Sequence, residues 1–195
     1  MKKRIRIQGI SIFLTLIISV VFFKYIIPIR EYNFANRILD FMGIGMVILG
    51  FLFRLSARGY KKEKSQESRK LTTGGPYTLM RNPMYFGSLL IGIGIISTLF
   101  NWWILLPFII IYLAILVPQI HKEELTLENQ FGQEYIKYCK NTPGYFPKTI
   151  NLFKLNFREY LPLRWAWVTR ESISWFLVFI GVIIIKVWEV SRMYG

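Results

Sequence analysis

Long apolar runs dominate the sequence and restrict the chain to a small set of folds. Four of them approach or exceed the length needed to cross a hydrocarbon core of about 30 Å: residues 7–29, 38–57, 84–100 and 102–118. Residues 174–190 form a weaker fifth candidate, because Lys186 and Glu189 lie within it. In lipid every backbone polar group needs an internal partner, which a helix provides within one segment. The runs therefore predict one all-α domain over residues 1–195, a polytopic membrane bundle of about five transmembrane helices.

Positive charge predicts which side of the membrane the loops face. The chain has a net charge of +14, and basic residues are concentrated before the first run and again over Arg58 to Lys70. Cytoplasmic loops are rich in Lys and Arg, so the N-terminus and the Arg58–Lys70 loop are predicted to be cytoplasmic. The same loop suits anionic membrane lipids. Nucleic-acid binding is another common reason for such charge, but here the basic residues border apolar runs instead of forming one face of a polar domain.

Small residues and short connections predict how the spans pack. Gly43, Gly45 and Gly50 in the second run would allow a neighbouring helix to approach closely. Only Asn101 separates the third run from the fourth, which predicts a tight helical hairpin. Beyond the hairpin, residues 121–140 repeat apolar and aromatic side chains at three- and four-residue spacing. This spacing predicts a cytoplasmic amphipathic helix after the fourth span.

One polar stretch, from Thr73 to Gly87, lies at the boundary where the third apolar run begins. It contains turn-forming residues, a lone arginine (Arg81) and two tyrosines. Ionisable groups close to a bilayer are costly and are functional candidates for that reason. The hairpin returns the fourth helix to the side on which the third begins. The pair Glu123-Glu124 is therefore predicted to lie beside this polar loop.

The polar residues of these two segments exclude several kinds of site. A cation, a carboxylate pair and aromatic rings suit a charged, aromatic ligand. The chain has a single histidine, His121, so a Ser/His/Asp hydrolase site and a histidine-rich metal site are not expected. The single cysteine, Cys139, excludes an internal disulfide.

Five short motifs follow one another over residues 71–148. They are Gly75-Pro76-Tyr77, Arg81-Asn82-Pro83-Met84-Tyr85-Phe86-Gly87, Glu123-Glu124-Leu125, Phe131-Gly132-Gln133-Glu134-Tyr135 with Tyr138, and Pro143 with Phe146-Pro147. In this order they resemble the isoprenylcysteine carboxyl methyltransferase family and the related phospholipid methyltransferases. The resemblance implies an integral membrane enzyme that uses S-adenosylmethionine (SAM) and methylates a lipid-like or prenylated substrate from the bilayer at the cytoplasmic face.

The resemblance also implies roles for individual residues. Arg81, Glu124 and Tyr85 are expected to be catalytic, with Arg81 pairing with the cofactor carboxylate or orienting an acidic substrate. The residues expected to bind the cofactor are Tyr77, Asn82, Pro83, Tyr85, Gly92, Gly94, Glu123 and Glu124. The glutamates would accept hydrogen bonds from ribose hydroxyls or the ammonium group, and the tyrosines would line the adenine or sulfonium site. The simpler alternatives are a solvated helix end for the glutamates, interfacial anchoring for the tyrosines and a lipid-phosphate anchor for Arg81. For the glycine pattern the alternative is helix packing through Ser88 and Gly92 at four-residue spacing.

Asn82 stands where the family signature has a histidine. Asparagine keeps a hydrogen-bond donor and an acceptor, but it cannot act as a base near neutral pH. Methyl transfer from a sulfonium to a carboxylate requires no proton removal, so positioning and electrostatics are sufficient. We therefore expect Asn82 to preserve function by contacting the cofactor.

Two other readings of these motifs remain open. Membrane sterol-type reductases share an Arg-x-Pro-x-Tyr-like element but use NADPH, and the Glu123-Glu124 pair with Phe131-Gly132 favours the methyltransferase. A non-enzymatic membrane scaffold predicts that loss of Arg81 or Glu124 leaves function intact. The chemical nature of the methyl acceptor, a carboxylate or a lipid amine, is also left open by the sequence.

Overall fold

The described part of the chain is helical and contains no strand. The computed structural model describes residues 34–67, 70–147, 160–164 and 167, and a few positions from 180 to 191. The elements are α1 (Phe34–Glu67), α2 (Pro76–Leu79), α3 (Pro83–Leu99), a 3-10 helix (Trp102–Ile104), α4 (Leu105–Phe131) and α5 (Gln133–Asn141). The predicted span at residues 7–29 and most of the span at 174–190 lie outside the described residues, so a bundle of five spans stays a prediction.

α1 is longer than the span predicted within it. It contains residues 38–57 but runs for 34 residues, about 51 Å at ~1.5 Å per residue. The prediction of a loop beginning at Arg58 is therefore wrong as far as Glu67. The Lys, Arg, Glu and Gln side chains of this segment have good helix propensity and no proline interrupts it, so nothing ends the helix where the apolar run ends. Gly59 is used for packing, because the ring of Trp167 lies against it.

α1 and α3 approach each other at glycines. A Cβ atom placed on Gly94 would lie 2.4 Å from the carbonyl oxygen of Gly43, and one on Gly50 would lie 2.5 Å from that of Gly87. Such distances leave no room for a methyl group, so the close approach predicted for Gly43 and Gly50 is confirmed. The close approach predicted for Gly45 is not found, because a Cβ atom placed on it would have no neighbouring atom within 4 Å.

The glycine contact gives a first testable prediction. Gly94→Ala is expected to lower the free energy of unfolding by about 1–3 kcal/mol, because the added methyl overpacks against backbone atoms of α1. Gly45→Ala is the matched control, and it should leave stability unchanged or raise it by up to about 1 kcal/mol through helix propensity. Thermal unfolding of the purified proteins in detergent measures both. Equal behaviour of the two variants would contradict the packing described here.

Two of the described helices are long and apolar enough to cross a membrane, over Asn36–Lys64 and Trp102–Phe131. α3 is shorter, with 17 residues, or about 25 Å. Much of the apolar surface of α4 is exposed, including Leu106, Ile110 and Ile115. Contiguous exposed apolar surface of this kind suits contact with lipid or with another apolar element.

α4 continues past its apolar stretch and carries Glu123 and Glu124 on that extension. It ends at Phe131, because Gly132 adopts a φ of +55°, which L side chains rarely tolerate. α5 then starts at Gln133. The predicted amphipathic helix over residues 121–140 is therefore two helices, the end of α4 and the whole of α5.

Candidate active site

The loop between α1 and α3 is fixed by burial just before Arg81. Gly75 has a φ of +58°, a backbone conformation that favours glycine. Pro76 opens the single-turn helix α2, where a missing N–H costs nothing. Leu79 and Met80 are completely buried in the small core that also contains part of α1. This burial holds the loop in place, so that the polar side chains that follow have a defined direction.

A short segment after α5, residues 142–147, crosses this loop and is here called the strap. The backbone N–H of Arg81 donates a hydrogen bond to the carbonyl of Pro143 at 2.8 Å. A Cβ atom on Gly144 would lie 2.8 Å from Nη2 of Arg81, so a side chain there would meet the guanidinium group. The sequence predicts a helix break at Pro143 and Gly144, but it does not predict this contact with the loop.

Glu124 is held by both polar side chains of the loop. Arg81 Nε lies 3.0 Å from Oε1 of Glu124 as an ion pair that is not aligned for a hydrogen bond. Arg81 Nη2 donates to Oε2 at 3.3 Å. The amide of Asn82 donates to Oε1 at 3.3 Å and to the Gly144 carbonyl at 3.1 Å. The side chains of Arg81 and Glu124 are only 18% and 21% exposed, so water screens this pair weakly.

Glu123 is held by a separate pair of donors. The Tyr85 hydroxyl donates to Oε1 at 2.7 Å, and so does the side-chain amide of Gln119. The two neighbouring glutamates therefore have different donors, Arg81 and Asn82 for Glu124 and Tyr85 and Gln119 for Glu123. The prediction that this pair lies beside the loop of Arg81 is confirmed by these contacts.

These side chains line a cavity of about 370 Å³, within the usual range of ~300–1,000 Å³ for small-molecule sites. Predicted site residues in its wall are Tyr77, Arg81, Asn82, Pro83, Tyr85, Glu123 and Glu124. Its wall also contains Lys61, Lys70, Leu71, Thr72, Met84, Leu127, Gln130, Phe131, Tyr135 and Tyr138. The cavity is thus mixed. Its charged groups come from α1, the loop and α4, and its aromatic rings come from α2, α3, α4 and α5.

Three of the tyrosines in the wall remain protonated over a wide pH range. Burial raises the pKa of Tyr77, Tyr135 and Tyr138, and it is the largest cause for each of them. The nearby charge of Glu123 raises the pKa of Tyr77 further, and that of Glu124 does the same for Tyr135. Tyr138 uses its proton within the fold, since its hydroxyl donates to the Tyr77 carbonyl at 2.6 Å. These phenols can donate hydrogen bonds, but they are poor bases near neutral pH.

A second, apolar cavity of about 220 Å³ lies on the other side of Asn82 and Tyr85. Its remaining lining comes from α3, α4 and the strap: Phe86, Leu89, Leu113, Leu116, Val117, Ile120, Tyr145 and Phe146. Asn82 and Tyr85 line both cavities. The ring of Phe146 packs edge-on to Phe86, with centroids 6.3 Å apart, and so joins the strap to α3. Asn82 and Tyr85 thus lie between the two cavities. The first, which contains the charged side chains, is here called the polar cavity, and the second is called the apolar cavity.

Two residues predicted for the cofactor site do not line either cavity. Gly94 lies in the contact with α1 described above, and a Cβ atom on Gly92 would lie 2.2 Å from the ring of Phe108 on α4. Both positions therefore need glycine for helix packing, which was the alternative considered from the sequence.

Sequence reasoning missed several residues of the site. Lys61 was assigned to a loop, and only the continuation of α1 brings it to the cavity. The contact of Gln119 with Glu123 was predictable, because Gln119 lies four residues before Glu123 and residues at this spacing meet on one helix face. Gly144 gave no such signal, since its contact depends on how the strap crosses a loop far away in the sequence.

Comparison with known proteins finds methyltransferases that are similar to this chain over the region of the site. Residues 38–134 match the model of the phospholipid methyltransferase family. The chain is 31% identical over 113 residues to protein-S-isoprenylcysteine O-methyltransferase B of Arabidopsis thaliana, covering 54% of this chain and 57% of that protein. It is 29% identical over 127 residues to a probable protein-S-isoprenylcysteine O-methyltransferase of Oryza sativa subsp. indica, covering 61% and 64%. No solved structure matches.

The chain thus spans about three-fifths of the length of the curated relatives that it matches. The region matched by the family model begins in α1 and ends in α5. It includes the loop with Arg81 and Asn82, and also Glu123 and Glu124 on α4. The matched region and the site thus agree, and over this region the chain is similar to the phospholipid methyltransferase family and to isoprenylcysteine O-methyltransferases.

Proposed function

We propose that this chain is an integral membrane, SAM-dependent methyltransferase that methylates a lipid-like acceptor at the cytoplasmic face. The single observation that carries the proposal is the pair of adjoining cavities that share Asn82 and Tyr85. One is polar and charged, as a SAM site requires, and the other is apolar, as a lipid tail requires. A methyl group held in the first would meet a head group held from the second at this shared wall.

The residues of the polar cavity fit the chemical groups of SAM. Carboxylates at Glu123 and Glu124 suit ribose hydroxyls and the ammonium group, and the tyrosine rings suit adenine. Tyr77 and Tyr85 could also attract a sulfonium through cation–π interaction. When bound, SAM supplies an activated methyl group. The protein would contribute orientation, since Glu124 is fixed by Arg81 and Asn82, and Glu123 by Tyr85 and Gln119.

The described groups favour a carboxylate acceptor over an amine. A protonated amine must lose a proton before it can attack, whereas a carboxylate is already a nucleophile. Both glutamates of the cavity are engaged by donors, and burial keeps Tyr77, Tyr135 and Tyr138 protonated. Asn82 cannot replace a histidine base. The cavity is therefore better equipped to hold an acceptor in line with the methyl group than to remove a proton from it.

The proposed orientation places the site on the cytoplasmic side. Arg58, Lys61, Lys62 and Lys64 on the last turns of α1 are exposed, and they lie at the same end of the bundle as the cavity. Such an excess of basic residues is typical of cytoplasmic ends of membrane helices. The apolar cavity, between α3, α4 and the strap, would then admit a tail from the inner leaflet.

Methyl transfer from labelled SAM tests the proposed function. The purified protein would be incubated with SAM carrying a labelled methyl group and with two acceptors, an S-prenylated N-acetylcysteine and vesicles of phosphatidylethanolamine. A carboxyl ester releases its label as methanol in mild alkali, whereas an N-methyl product retains it. We expect alkali-labile label on the prenylated cysteine. Alkali-stable label on the amine lipid would contradict the choice of acceptor, and no label on either, or on a total membrane lipid extract, would contradict the activity.

Tyr85→Phe is expected to weaken SAM binding by roughly 3- to 10-fold, because it removes the hydroxyl that donates to Glu123 and keeps the ring. A net hydrogen bond contributes about 0.5–1.5 kcal/mol, which corresponds to this range. Tyr145→Phe on the strap is the control, since Tyr145 lines the apolar cavity but not the polar one. Isothermal titration with SAM compares the two variants. An unchanged affinity for Tyr85→Phe would argue that this tyrosine is an interfacial anchor only.

A further inference from the structure

Two lysines at the polar cavity have no role in the function proposed so far. Lys61 lies on the part of α1 that continues beyond its apolar stretch, and Lys70 lies on the loop that follows. Both side chains are exposed, and both line the cavity that contains Glu123 and Glu124. They reach the cavity from α1 and the loop after it, whereas the two glutamates reach it from α4.

The cavity wall carries three cations, Lys61, Lys70 and Arg81, against two carboxylates, Glu123 and Glu124. Among its described lining residues, Arg81 is the cation paired with Glu124. Glu123 accepts hydrogen bonds from Tyr85 and Gln119. Within the described residues, Lys61 and Lys70 form no ion pair with a carboxylate, whereas Glu63 on the same helix turn pairs with Arg164 at 2.6 Å. The cavity therefore presents two exposed ammonium groups that form no ion pair with a carboxylate of the described residues.

We propose that Lys61 and Lys70 form an anion-binding site for the carboxylate of a ligand at the mouth of the polar cavity. The inference rests on the proposed function, because it takes the ligands of this cavity to be SAM and a carboxylate acceptor. Either ligand can supply the group, since SAM carries an amino-acid carboxylate. Arg81 is less suited to this task while Glu124 occupies its guanidinium. Lysine is a flexible point charge, which suits a ligand group that enters and leaves with every turnover.

The binding test uses Lys61→Gln/Lys70→Gln, with Lys62→Gln/Lys122→Gln as the matched control. The control lysines are exposed and do not line the cavity. Two probes are titrated in neutral detergent: S-adenosylhomocysteine, which retains the amino-acid carboxylate, and methylthioadenosine, which lacks it. If the cofactor carboxylate occupies the site, the double variant binds S-adenosylhomocysteine about 10-fold more weakly, as expected for loss of a partly exposed charged contact. Methylthioadenosine affinity stays unchanged, and the control variant behaves as the wild type.

The second arm addresses the acceptor. If its carboxylate occupies the site, the double variant keeps its affinity for S-adenosylhomocysteine, and the KM for an S-prenylated N-acetylcysteine rises about 10-fold. Either result supports the anion site and identifies its source. If both quantities match those of the control variant, the inference is overturned and the proposed function stands. A wild type that binds neither nucleoside overturns the proposed function, and with it this inference.

A measurement on the wild type covers the case in which the double variant does not fold. Salt screens exposed charges, with a Debye length of about 10 Å at 0.1 M and about 3 Å at 1 M. If the site binds the cofactor carboxylate, raising the salt concentration weakens binding of S-adenosylhomocysteine more than binding of methylthioadenosine. If it binds the acceptor carboxylate, the KM of the acceptor rises with salt instead. No salt dependence in either quantity overturns the inference.

Discussion

Replacing Glu124 with glutamine is expected to weaken SAM binding by about 10- to 100-fold while the protein still folds. Glutamine keeps the shape of the side chain but removes the charge that Arg81 faces at 3.0 Å. It also replaces one of the two acceptor oxygens with an amide donor, so a single oxygen remains to accept from Arg81 and Asn82. Contacts to charged groups contribute about 1.5–3 kcal/mol, and each 1.36 kcal/mol is tenfold in affinity. The measurement is isothermal titration of the purified variant with SAM.

Glu128→Gln is the matched control for this prediction. Glu128 lies about one turn further along α4, is exposed and does not line the polar cavity. Its replacement should leave the affinity for SAM unchanged, so a general effect of charge on α4 can be separated from the effect at the site. If Glu124→Gln bound SAM as tightly as the wild type, the carboxylate would be an ordinary helix-end residue and the assignment would fail.

Asn82→Asp is expected to weaken SAM binding by about 100-fold at pH 7.5, with partial recovery at pH 5.5. The amide of Asn82 donates to Glu124 at 3.3 Å and to the carbonyl of Gly144 at 3.1 Å. Aspartate faces both acceptors with negative charge, and repulsion between unit charges 4 Å apart is about 4 kcal/mol at an effective dielectric constant of 20. Arg81 reduces this cost. Like charges raise the pKa of a carboxyl pair, so protonation at lower pH removes the repulsion and restores affinity.

The control for this prediction is the ratio of variant to wild-type affinity at each pH, which removes any pH dependence of SAM binding itself. Asn82→His adds a second comparison. A neutral imidazole has one N–H and serves one of the two acceptors, whereas its protonated form serves both. This variant should bind SAM better at pH 5.5 than at pH 7.5, relative to the wild type. An Asn82→Asp protein with wild-type affinity at both pH values would contradict the proposed role of the amide.

The pairing of the loop with Glu123 and Glu124 was predictable because it follows from topology alone. Two apolar runs separated by Asn101 must return the chain to the side on which it started. Residues at the start of the first helix and the end of the second then become neighbours, whatever their side chains. The contacts of Arg81 with Glu124 and of Tyr85 with Glu123 agree with this reasoning.

Other features were not predictable because they depend on contacts between distant segments. Lys61 reaches the cavity because α1 continues beyond its apolar run. Hydropathy indicates where an apolar run ends, but it does not indicate where the helix ends. Gly92 and Gly94 match a cofactor-site pattern, yet only the positions of α1 and α4 show that both lie in close helix contacts. The strap likewise meets Arg81 through a glycine whose neighbours no local pattern indicates.

The central claim, that the polar cavity is a SAM site, is tested most directly by equilibrium binding to the purified wild-type protein. Isothermal titration in detergent with SAM and with NADPH compares the two enzyme classes that share an Arg-x-Pro-x-Tyr-like element. The account predicts saturable binding of SAM, loss of that binding by 10- to 100-fold in Glu124→Gln, and no saturable binding of NADPH. Saturable binding of NADPH with none of SAM would contradict it.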